Sequence, residues 1–305
     1  MSAKLIISLI IFITSIIVVV AVKDKEKKDK ELKEKKSQMD SIIKSPKCPP
    51  LDIINKESEL YRINHEFTKI DGQLLIPIGL VSNEKLKIID FYKENNILII
   101  GTTGGGKSTC LNEIVFSLAM NYSKEEIDIV TIDTSFVELG SFNGIPQYLK
   151  DSIFTPKDIV EELSILYKEA EKRIKNPYKK KLIVMIDDLY DVCSYDKNAL
   201  KTIEKLLKIS KDANMYFILA TDTPKEEILT EDFKEKLDAT LYLTLSPGEE
   251  KDFSFENELS EEDLQFLTRE GCLIYKEKDT TKKVTIPDIT EKDIKKLKDW
   301  FIHNR

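Results

Sequence analysis

The stretch that decides the fold is Asn96–Leu111, NILIIGTTGGGKSTCL. Four apolar residues, Ile97 to Ile100, run directly into Gly101-x-x-x-x-Gly106-Lys107-Ser108, and helical periodicity follows to about Asn121. A strand that leads through a glycine-rich turn into a helix is the setting of a P-loop, whose backbone N–H groups surround a phosphate. The pattern favours a phosphate-binding loop over a glycine-rich turn without a ligand.

The loop predicts a site for ATP and Mg²⁺. Lys107 is expected to reach the β- and γ-phosphates, and Ser108 to offer its hydroxyl to Mg²⁺. Asp187, which follows the apolar strand Lys181–Ile186, is expected to position the same ion through water. The predicted nucleotide contacts are Gly101, Thr102, Thr103, Gly104, Gly105, Gly106, Lys107, Ser108 and Thr109.

A second carboxylate, Asp188, comes directly after Asp187. Many motor ATPases have a glutamate here that activates the attacking water, and aspartate is one methylene shorter. A displacement of about 1 Å can cost ~100-fold in rate. Asp188 is therefore predicted to be a slower base or a sign of binding without brisk turnover; alternatively, the Asp pair caps the following helix.

Composition excludes several classes of site. The chain has 305 residues, 41% of them hydrophobic, so it can bury a large core. Its four cysteines and two histidines lie too far apart for a zinc site or a disulfide framework. Cys110 is expected to pack in the core; the alternative is that its thiol is a site of chemical modification.

The charge does not by itself indicate nucleic acid. The formal net charge is −7; residues 1–60 carry 12 Lys and 9 acidic residues, which leaves 35 basic and 45 acidic residues, or −10, in the remainder. A DNA motor is still compatible with this balance, because only the lining of a pore has to be basic.

The N-terminal segment predicts a membrane anchor. Leu5 to Val22 is an apolar run of 18 residues without a charge, which nearly matches a hydrocarbon core of ~30 Å. A cleaved signal peptide is the alternative. Lys23–Lys36 follows with eight Lys against five acidic residues, so we expect a single-pass protein of the cell membrane, with its N-terminus outside and its motor domain in the cytoplasm. The expected domains are an anchor at 1–22, a charged juxtamembrane segment and linker at 23–60, and an ATPase domain at 61–305.

Strands and helices alternate along the rest of the chain. Thr155-Pro156 predicts the start of an amphipathic helix, which stops at Asn176-Pro177. Alternation of this kind predicts an α/β fold with a doubly wound, mostly parallel sheet. The other expected strands are Leu74–Leu80, Leu86–Ile89, Asp128–Asp133, Met215–Ala220, Ala239–Leu245 and Cys272–Tyr275; the other expected helices are Lys197–Ala213, one beginning at Ser260, and Thr290–Phe301.

Several motifs together resemble the FtsK/SpoIIIE DNA translocase motors of the FtsK–HerA superfamily, over about Leu74 to Thr285. They are the P-loop block through Asn112, Ile132-Asp133 with Val137-Glu138-Leu139, Gly144-Ile145-Pro146, Ile186-Asp187-Asp188-Leu189, Ala220-Thr221 with Pro224, and Gly271-Cys-Leu-Ile-Tyr275. The resemblance implies a RecA-like P-loop NTPase that assembles as a ring, usually a hexamer, and threads double-stranded DNA through its centre using ATP. An N-terminal membrane anchor also suits this family.

Three departures from the family pattern concern the catalytic site. Asp133-Thr134-Ser135 stands where the family has Asp-Pro-Lys, and Asp222 stands where it has the Gln that senses the γ-phosphate. Thr240 stands where many members have an Arg that completes a neighbour's site. An arginine finger would then fall to Arg173 or Arg269, of which Arg269 is the better candidate; the alternative for Arg269 is a surface arginine without that role.

Two segments bear on DNA contact. The loop Ser246–Glu256 is acidic where the family often has basic residues, whereas Lys172–Lys181 is the most basic stretch. That stretch is either a phosphate-contacting surface or a solvated helix end. Because the chain ends after the motor, no winged-helix reader is expected, and DNA binding should be sequence-independent and salt-sensitive.

Three functions remain as interpretations of the sequence. The first is a membrane-anchored, ATP-dependent translocase of double-stranded DNA that serves conjugative transfer or the movement of a chromosome or plasmid. The second is an ATPase that drives polypeptide secretion, as in type VII systems. The third is a nucleotide-binding module with weakened hydrolysis, which Asp188, Asp222 and Thr240 favour.

Overall fold

The computed structural model describes residues 73–81, 85–135, 138–245, 259–269, 271–278 and 280–304. The expected membrane span, Leu5 to Val22, the linker after it and the acidic loop Ser246–Glu256 lie outside these ranges. Within them, no helix combines the length and the apolar character needed to cross a bilayer.

The elements follow the predicted alternation. The strands are β1 (Leu75–Val81), β2 (Lys85–Asp90), β3 (Asn96–Ile100), β4 (Ile127–Asp133), β5 (Lys181–Asp187), β6 (Met215–Thr221), β7 (Ala239–Tyr242), β8 (Cys272–Glu277) and β9 (Thr280–Thr285). The helices are α1 (Lys107–Asn121), α2 (Pro156–Lys175), α3 (Leu189–Tyr195), α4 (Ala199–Ile209), α5 (Glu231–Lys234), α6 (Glu261–Leu267) and α7 (Glu291–His303), with a 3₁₀ turn at Leu139–Phe142.

All nine strands of the described ranges form one mixed sheet, in the order β2-β1-β9-β8-β7-β3-β6-β5-β4. The five strands from β7 to β4 are parallel, as the alternation predicted. The other four add an antiparallel half. The sequence missed β9, because its first four residues, TTKK, lack apolar alternation and the first three of them are exposed.

Helices cover both faces of the parallel half. Ile97 and Ile99 of β3 pack in the core cluster that includes α1 and α7, while Leu98 and Ile100 pack in the cluster that includes α2 and α4. Successive side chains of a strand point to opposite faces, so a strand buried on both faces has to be apolar throughout. The doubly wound arrangement therefore follows from the unbroken apolar runs.

Local signals placed most helix ends correctly. Thr155 accepts a hydrogen bond from the Asp158 amide and caps α2. Thr290 forms a capping box at the start of α7. The helix expected from Lys197 to Ala213 is shorter, at Ala199–Ile209, and the separate helix α3 before it was missed.

A buried ion pair in β2 and the turn after it contacts Tyr275 of β8. Lys87 and Glu94, each almost fully buried, lie 3.4 Å apart (Nζ to Oε1), and the Lys87 ammonium lies 3.5 Å from the centre of the Tyr275 ring. Glu94 also accepts a hydrogen bond from the Tyr275 hydroxyl. Burial lowers the pKa of Lys87 and raises the pKa of Glu94, with each charge opposing the shift of the other.

Candidate nucleotide-binding site

The parallel strands carry the predicted site residues to one edge of the sheet. Ile100, the last residue of β3, pairs with Thr221, the last of β6, and Asp133 pairs with Asp187 at the ends of β4 and β5. Ligands of open α/β sheets bind outside the carboxyl ends of the strands, where the topology brings separate loops together. The P-loop and the acidic residues after β4, β5 and β6 share this edge.

The P-loop is held by backbone contacts to the end of β7. The Thr102 amide and hydroxyl each donate a hydrogen bond of 3.0 Å to the Thr244 carbonyl oxygen, and the Gly105 amide donates one of 2.8 Å to the Thr102 carbonyl oxygen. A Cβ on Gly105 would lie 2.6 Å from that Thr244 oxygen. Glycine is required here because the loop folds directly against a carbonyl group.

The start of α1 fits a phosphate group. Gly106 has a φ of 98°, in the left-handed region, and occupies the N-cap position. Among the described residues, no side chain caps the first turn of this helix. Its leading amides can donate to an anion, and the helix dipole favours negative charge there. The cradle therefore fits the phosphates of ATP.

Lys107 and Thr103 both contact Asp222, the residue directly after β6. The Asp222 carboxylate accepts a 2.9 Å hydrogen bond from the Thr103 hydroxyl, and its Oδ2 lies 3.9 Å from the Lys107 Nζ. Its Oδ1 accepts a further bond from the Thr223 hydroxyl. Asp222 is thus the anionic partner of the P-loop lysine.

Asp187 is a buried carboxylate among like charges. Its side chain is 4% exposed, and burial together with Asp188 and Asp133 raises its pKa to about 7, while Lys107 opposes the shift. A cation would relieve this repulsion. Mg²⁺ in nucleotide sites typically takes one or two protein ligands, with phosphates and water for the rest. Asp187 and the half-buried Ser108 at the start of α1 suit this mode; in the described residues no group of three potential ligand side chains forms a separate metal site.

Asp188 lies at the N-cap position of α3 but makes no side-chain bond to that helix. Its φ of 56° is left-handed, which aspartate tolerates better than most residues. Thr134 donates a hydrogen bond to its carboxylate, 3.3 Å from hydroxyl to Oδ2. Burial and then Asp222 raise its pKa, and Lys107 lowers it. The carboxylate therefore belongs to the environment of the P-loop lysine, not to a helix cap.

Asp133 organises the loop after β4. Its Oδ2 accepts hydrogen bonds from the amides of Leu139, at 2.9 Å, and Gly140, at 3.3 Å, and its Oδ1 accepts from Ser135. The side chain is fully buried. These bonds explain why an acid is required at the end of this strand, a role that the sequence did not indicate.

The candidate arginines differ sharply in exposure. Arg173 is 4% exposed, pairs with Glu169 and donates to the Lys180 carbonyl oxygen. Burial of this kind does not suit an arginine finger, because a residue that completes another subunit's site has to extend from its own subunit. Arg269 is exposed and lies two residues after Leu267, whose carbonyl accepts a bond from Thr244 at the P-loop edge.

The basic stretch Lys172–Lys181 lies at the opposite edge of the sheet. It leads into the first residue of β5, whereas Asp187 is the last. Seven residues of strand span about 20 Å. Lys172 and Lys180 of this stretch form ion pairs with Glu169 and Asp128. Their charges are partly neutralised, which favours the interpretation as a helix end.

The predicted loop residues differ in their exposure. Gly101 and Thr102 are buried, Thr103 and Gly104 are exposed, and the residues from Gly105 to Thr109 are half-buried. Cys110 behind them is fully buried, and burial raises the pKa of its thiol to about 12, so its role is packing. The missed site residue is Asp222, and the signal in the sequence was an acid directly after an apolar strand, without the knowledge that this strand pairs with β3.

Comparison with known proteins gives a family match. The chain matches the FtsK/SpoIIIE family model over residues 62–229, slightly more than half of its length. The DNA translocase SpoIIIE of Bacillus subtilis (strain 168) is 26% identical over 204 residues, which cover 58% of this chain and 26% of that protein. The chain therefore spans about a quarter of the length of this relative.

Solved structures share the fold. The pCW3 conjugation coupling protein TcpA, in a monomer form with ATPγS, aligns with a TM-score of 0.61 at 18% identity, over 85% of this chain and 75% of that one. The cytoplasmic domain of the type VII secretion ATPase EccC of Thermomonospora curvata aligns with a TM-score of 0.59 at 14% identity, over 83% of this chain and 33% of that one. At these identities the likeness concerns the fold alone.

Proposed function

Since this chain belongs to the FtsK/SpoIIIE family, we propose that it is an ATPase that moves double-stranded DNA. The observation that carries the proposal is the meeting of the uncapped start of α1 with Lys107 and the Asp187–Asp188 pair at one sheet edge. The family match supports DNA as the substrate, because the relatives that it joins are named DNA translocases.

The nucleotide site holds MgATP through the P-loop. The amides around Gly104 to Lys107 and the Lys107 ammonium would bind phosphate oxygens, while Ser108 and Asp187 would hold the metal ion. When bound, MgATP supplies the phosphoryl group and the charge that offsets the buried Asp187 carboxylate. Asp188 accepts a proton from the attacking water, since its raised pKa brings it closer to the working pH of a general base.

Completion of the site comes from a second copy in a ring. Arg269 is the proposed trans residue, because it is exposed near the P-loop edge while Arg173 is buried. A ring, usually a hexamer in this family, also encloses the DNA. In such a ring, basic side chains that line the centre contact the DNA phosphates. DNA binding is therefore independent of sequence, and its affinity falls as the salt concentration rises.

A membrane position completes the proposal. The apolar run Leu5 to Val22 and the lysine-rich segment after it support a single-pass anchor with the motor domain in the cytoplasm. A motor held at the membrane suits transfer of DNA through a channel, as in conjugation, as well as movement of a chromosome or plasmid.

The test is ATP turnover by the full chain in detergent or lipid, with and without linear duplex DNA. We expect DNA to raise ATP turnover. We also expect the affinity for DNA to fall by about 1000-fold or more between 50 and 200 mM salt if the protein contacts six or more phosphates, so the stimulation at a fixed DNA concentration should fall as well. Lys107→Ala should abolish turnover. Lys124→Ala, which removes an exposed lysine just after α1, is the matched control and should behave as wild type.

Two outcomes would point elsewhere. Turnover that responds to a secreted polypeptide and not to DNA would favour polypeptide transport, for which the excess of acidic residues in 61–305 is the supporting observation. Tight nucleotide binding without turnover under any condition would favour a nucleotide-binding module, for which the Lys107–Asp222 contact is the supporting observation.

A further inference from the structure

Asp222 is built into the P-loop from the side of β6. It follows the last residue of that strand, and the adjoining strand β3 leads into the loop. Two hydroxyls hold its carboxylate, those of Thr103 and Thr223, each at 2.9 Å. The carboxylate is therefore fixed in position beside Lys107, whose side chain is 11% exposed.

The Asp222 carboxylate is paired with the Lys107 ammonium, which is the group that a triphosphate needs as its partner. A P-loop lysine binds the β- and γ-phosphates, so nucleotide binding has to draw Lys107 from the Asp222 carboxylate. Because Asp222 lies 3.9 Å from the Lys107 ammonium, a γ-phosphate bound by that ammonium would lie within a few ångströms of the Asp222 carboxylate, with Asp188 also close to Asp222. Like charges at this distance repel. A diphosphate lacks the γ-phosphate and meets less of this repulsion.

We propose that Asp222 is a specificity-determining residue that weakens binding of the triphosphate relative to the diphosphate. Without nucleotide, it keeps the P-loop lysine, Lys107, paired with its own carboxylate. The inference rests on the proposed function, because it assumes that Lys107 binds the β- and γ-phosphates of MgATP. Asp222 acts through its charge and through its fixed position, so removing the charge while keeping the shape isolates its effect.

The first measurement is the dissociation constant of the full chain for MgATPγS and for MgADP, in wild type and in Asp222→Asn. The asparagine oxygen can still accept from Thr103. We expect the affinity for the triphosphate to rise about tenfold, or about 1.4 kcal/mol, and that for the diphosphate by less than about threefold, because only the γ-phosphate loses a repulsive neighbour. Asp222→Ala, which cannot accept these bonds, should shift the ratio in the same direction.

Asp191→Asn is the matched control. This exposed residue on α3 also acts on the Asp188 carboxylate, yet the P-loop contacts described above do not involve it. It removes the same charge from the protein, and we expect less than about a twofold change in either constant, because exposed charges at longer range are screened. Equal effects of Asp191→Asn and Asp222→Asn would mean that overall charge, not position, sets the affinity, and would overturn the inference.

The remaining outcomes separate the inference from its premise. If wild type binds both nucleotides, Lys107→Ala abolishes binding, and the ratio of the two constants stays the same in Asp222→Asn, the inference is wrong while the site assignment stands. A weaker affinity for the triphosphate in Asp222→Asn would also overturn it. If wild type binds neither nucleotide, or binds them equally well without Lys107, the proposed function and the inference fail together.

Discussion

Gly105→Ala should damage the nucleotide site while leaving the fold intact. A methyl group on Gly105 would lie 2.6 Å from the Thr244 carbonyl oxygen, 2.9 Å from the Thr102 carbonyl oxygen and 3.0 Å from the Thr102 hydroxyl. The two carbonyl groups are backbone and cannot rotate aside as a side chain can. The loop itself has to shift, and it is the Thr244 oxygen that holds Thr102 in place.

The magnitude follows from the cost of overpacking. Inserting a methyl group into a tightly packed place costs about 1 to 3 kcal/mol. If the shifted loop carries this cost into the bound state, nucleotide affinity falls by roughly 5- to 150-fold, since each 1.4 kcal/mol is a factor of ten. The rest of the sheet is not involved, so circular dichroism should be unchanged.

The assay is titration of a fluorescent ATP analogue, together with thermal unfolding with and without MgATP. Gly144→Ala is the control, because an added Cβ at Gly144 meets nothing within 4 Å, although its φ of 93° is unfavourable for any residue with a side chain. That variant should lose stability from backbone strain, about 1 to 2 kcal/mol, and bind nucleotide as wild type does. Wild-type affinity in Gly105→Ala would refute the argument that the Thr244 contact shapes the loop.

Three further substitutions test other parts of the molecule. Asp187→Asn should lower ATP turnover by at least about 100-fold, as the loss of one preorganised group in an active site does. It should also raise the melting temperature without nucleotide, because it removes a buried charge beside Asp133. Unchanged turnover would contradict the role of Asp187 in metal binding. Asp188→Glu should speed single-turnover hydrolysis, by up to ~100-fold if the carboxylate gains 1 Å of reach, and a fall would remove Asp188 as the base. Lys87→Met should lower the free energy of unfolding by about 3 kcal/mol at pH 7, since Glu94 loses its buried partner. In that variant the pKa of Glu94 rises further above its unfolded value, so the folded protein takes up a proton more readily than the unfolded chain as the pH falls. The loss in free energy of unfolding, measured with urea, should therefore become smaller towards pH 5. A loss that does not depend on pH would contradict this account.

Local signals were sufficient for the framework of the fold. The unbroken apolar run of β3 and the glycine pattern after it placed α1 at Lys107–Asn121, as the structure has it. Thr155-Pro156 placed the start of α2 in the same way. These signals depend on neighbours within a few residues along the chain, so they can be found without knowledge of the sheet order.

Charged residues were harder to interpret from sequence. The sequence offered Arg173 as a candidate to reach a neighbouring subunit, but the residue is buried against Glu169 and the Lys180 carbonyl oxygen. Asp188 stands at a helix start, yet its carboxylate is held by Thr134. Glu169 lies one turn away from Arg173 on the same helix, whereas Thr134 lies 54 positions from Asp188 along the chain. In both cases the residue type was known, but it did not tell whether the side chain is buried or which group it contacts.

By itself, then, the sequence determined the α/β alternation, the phosphate loop and the acids that end β4 and β5. Only the tertiary structure decided that Asp222 pairs with Lys107, that Asp133 organises a loop, and that β8, β9 and the N-terminal hairpin extend the sheet in the antiparallel sense. The reason is that periodicity and capping act over one or two turns of chain. The partner of a charge depends on which strands become neighbours, and here the β3–β6 pairing brings residues 107 and 222 together across more than a hundred positions.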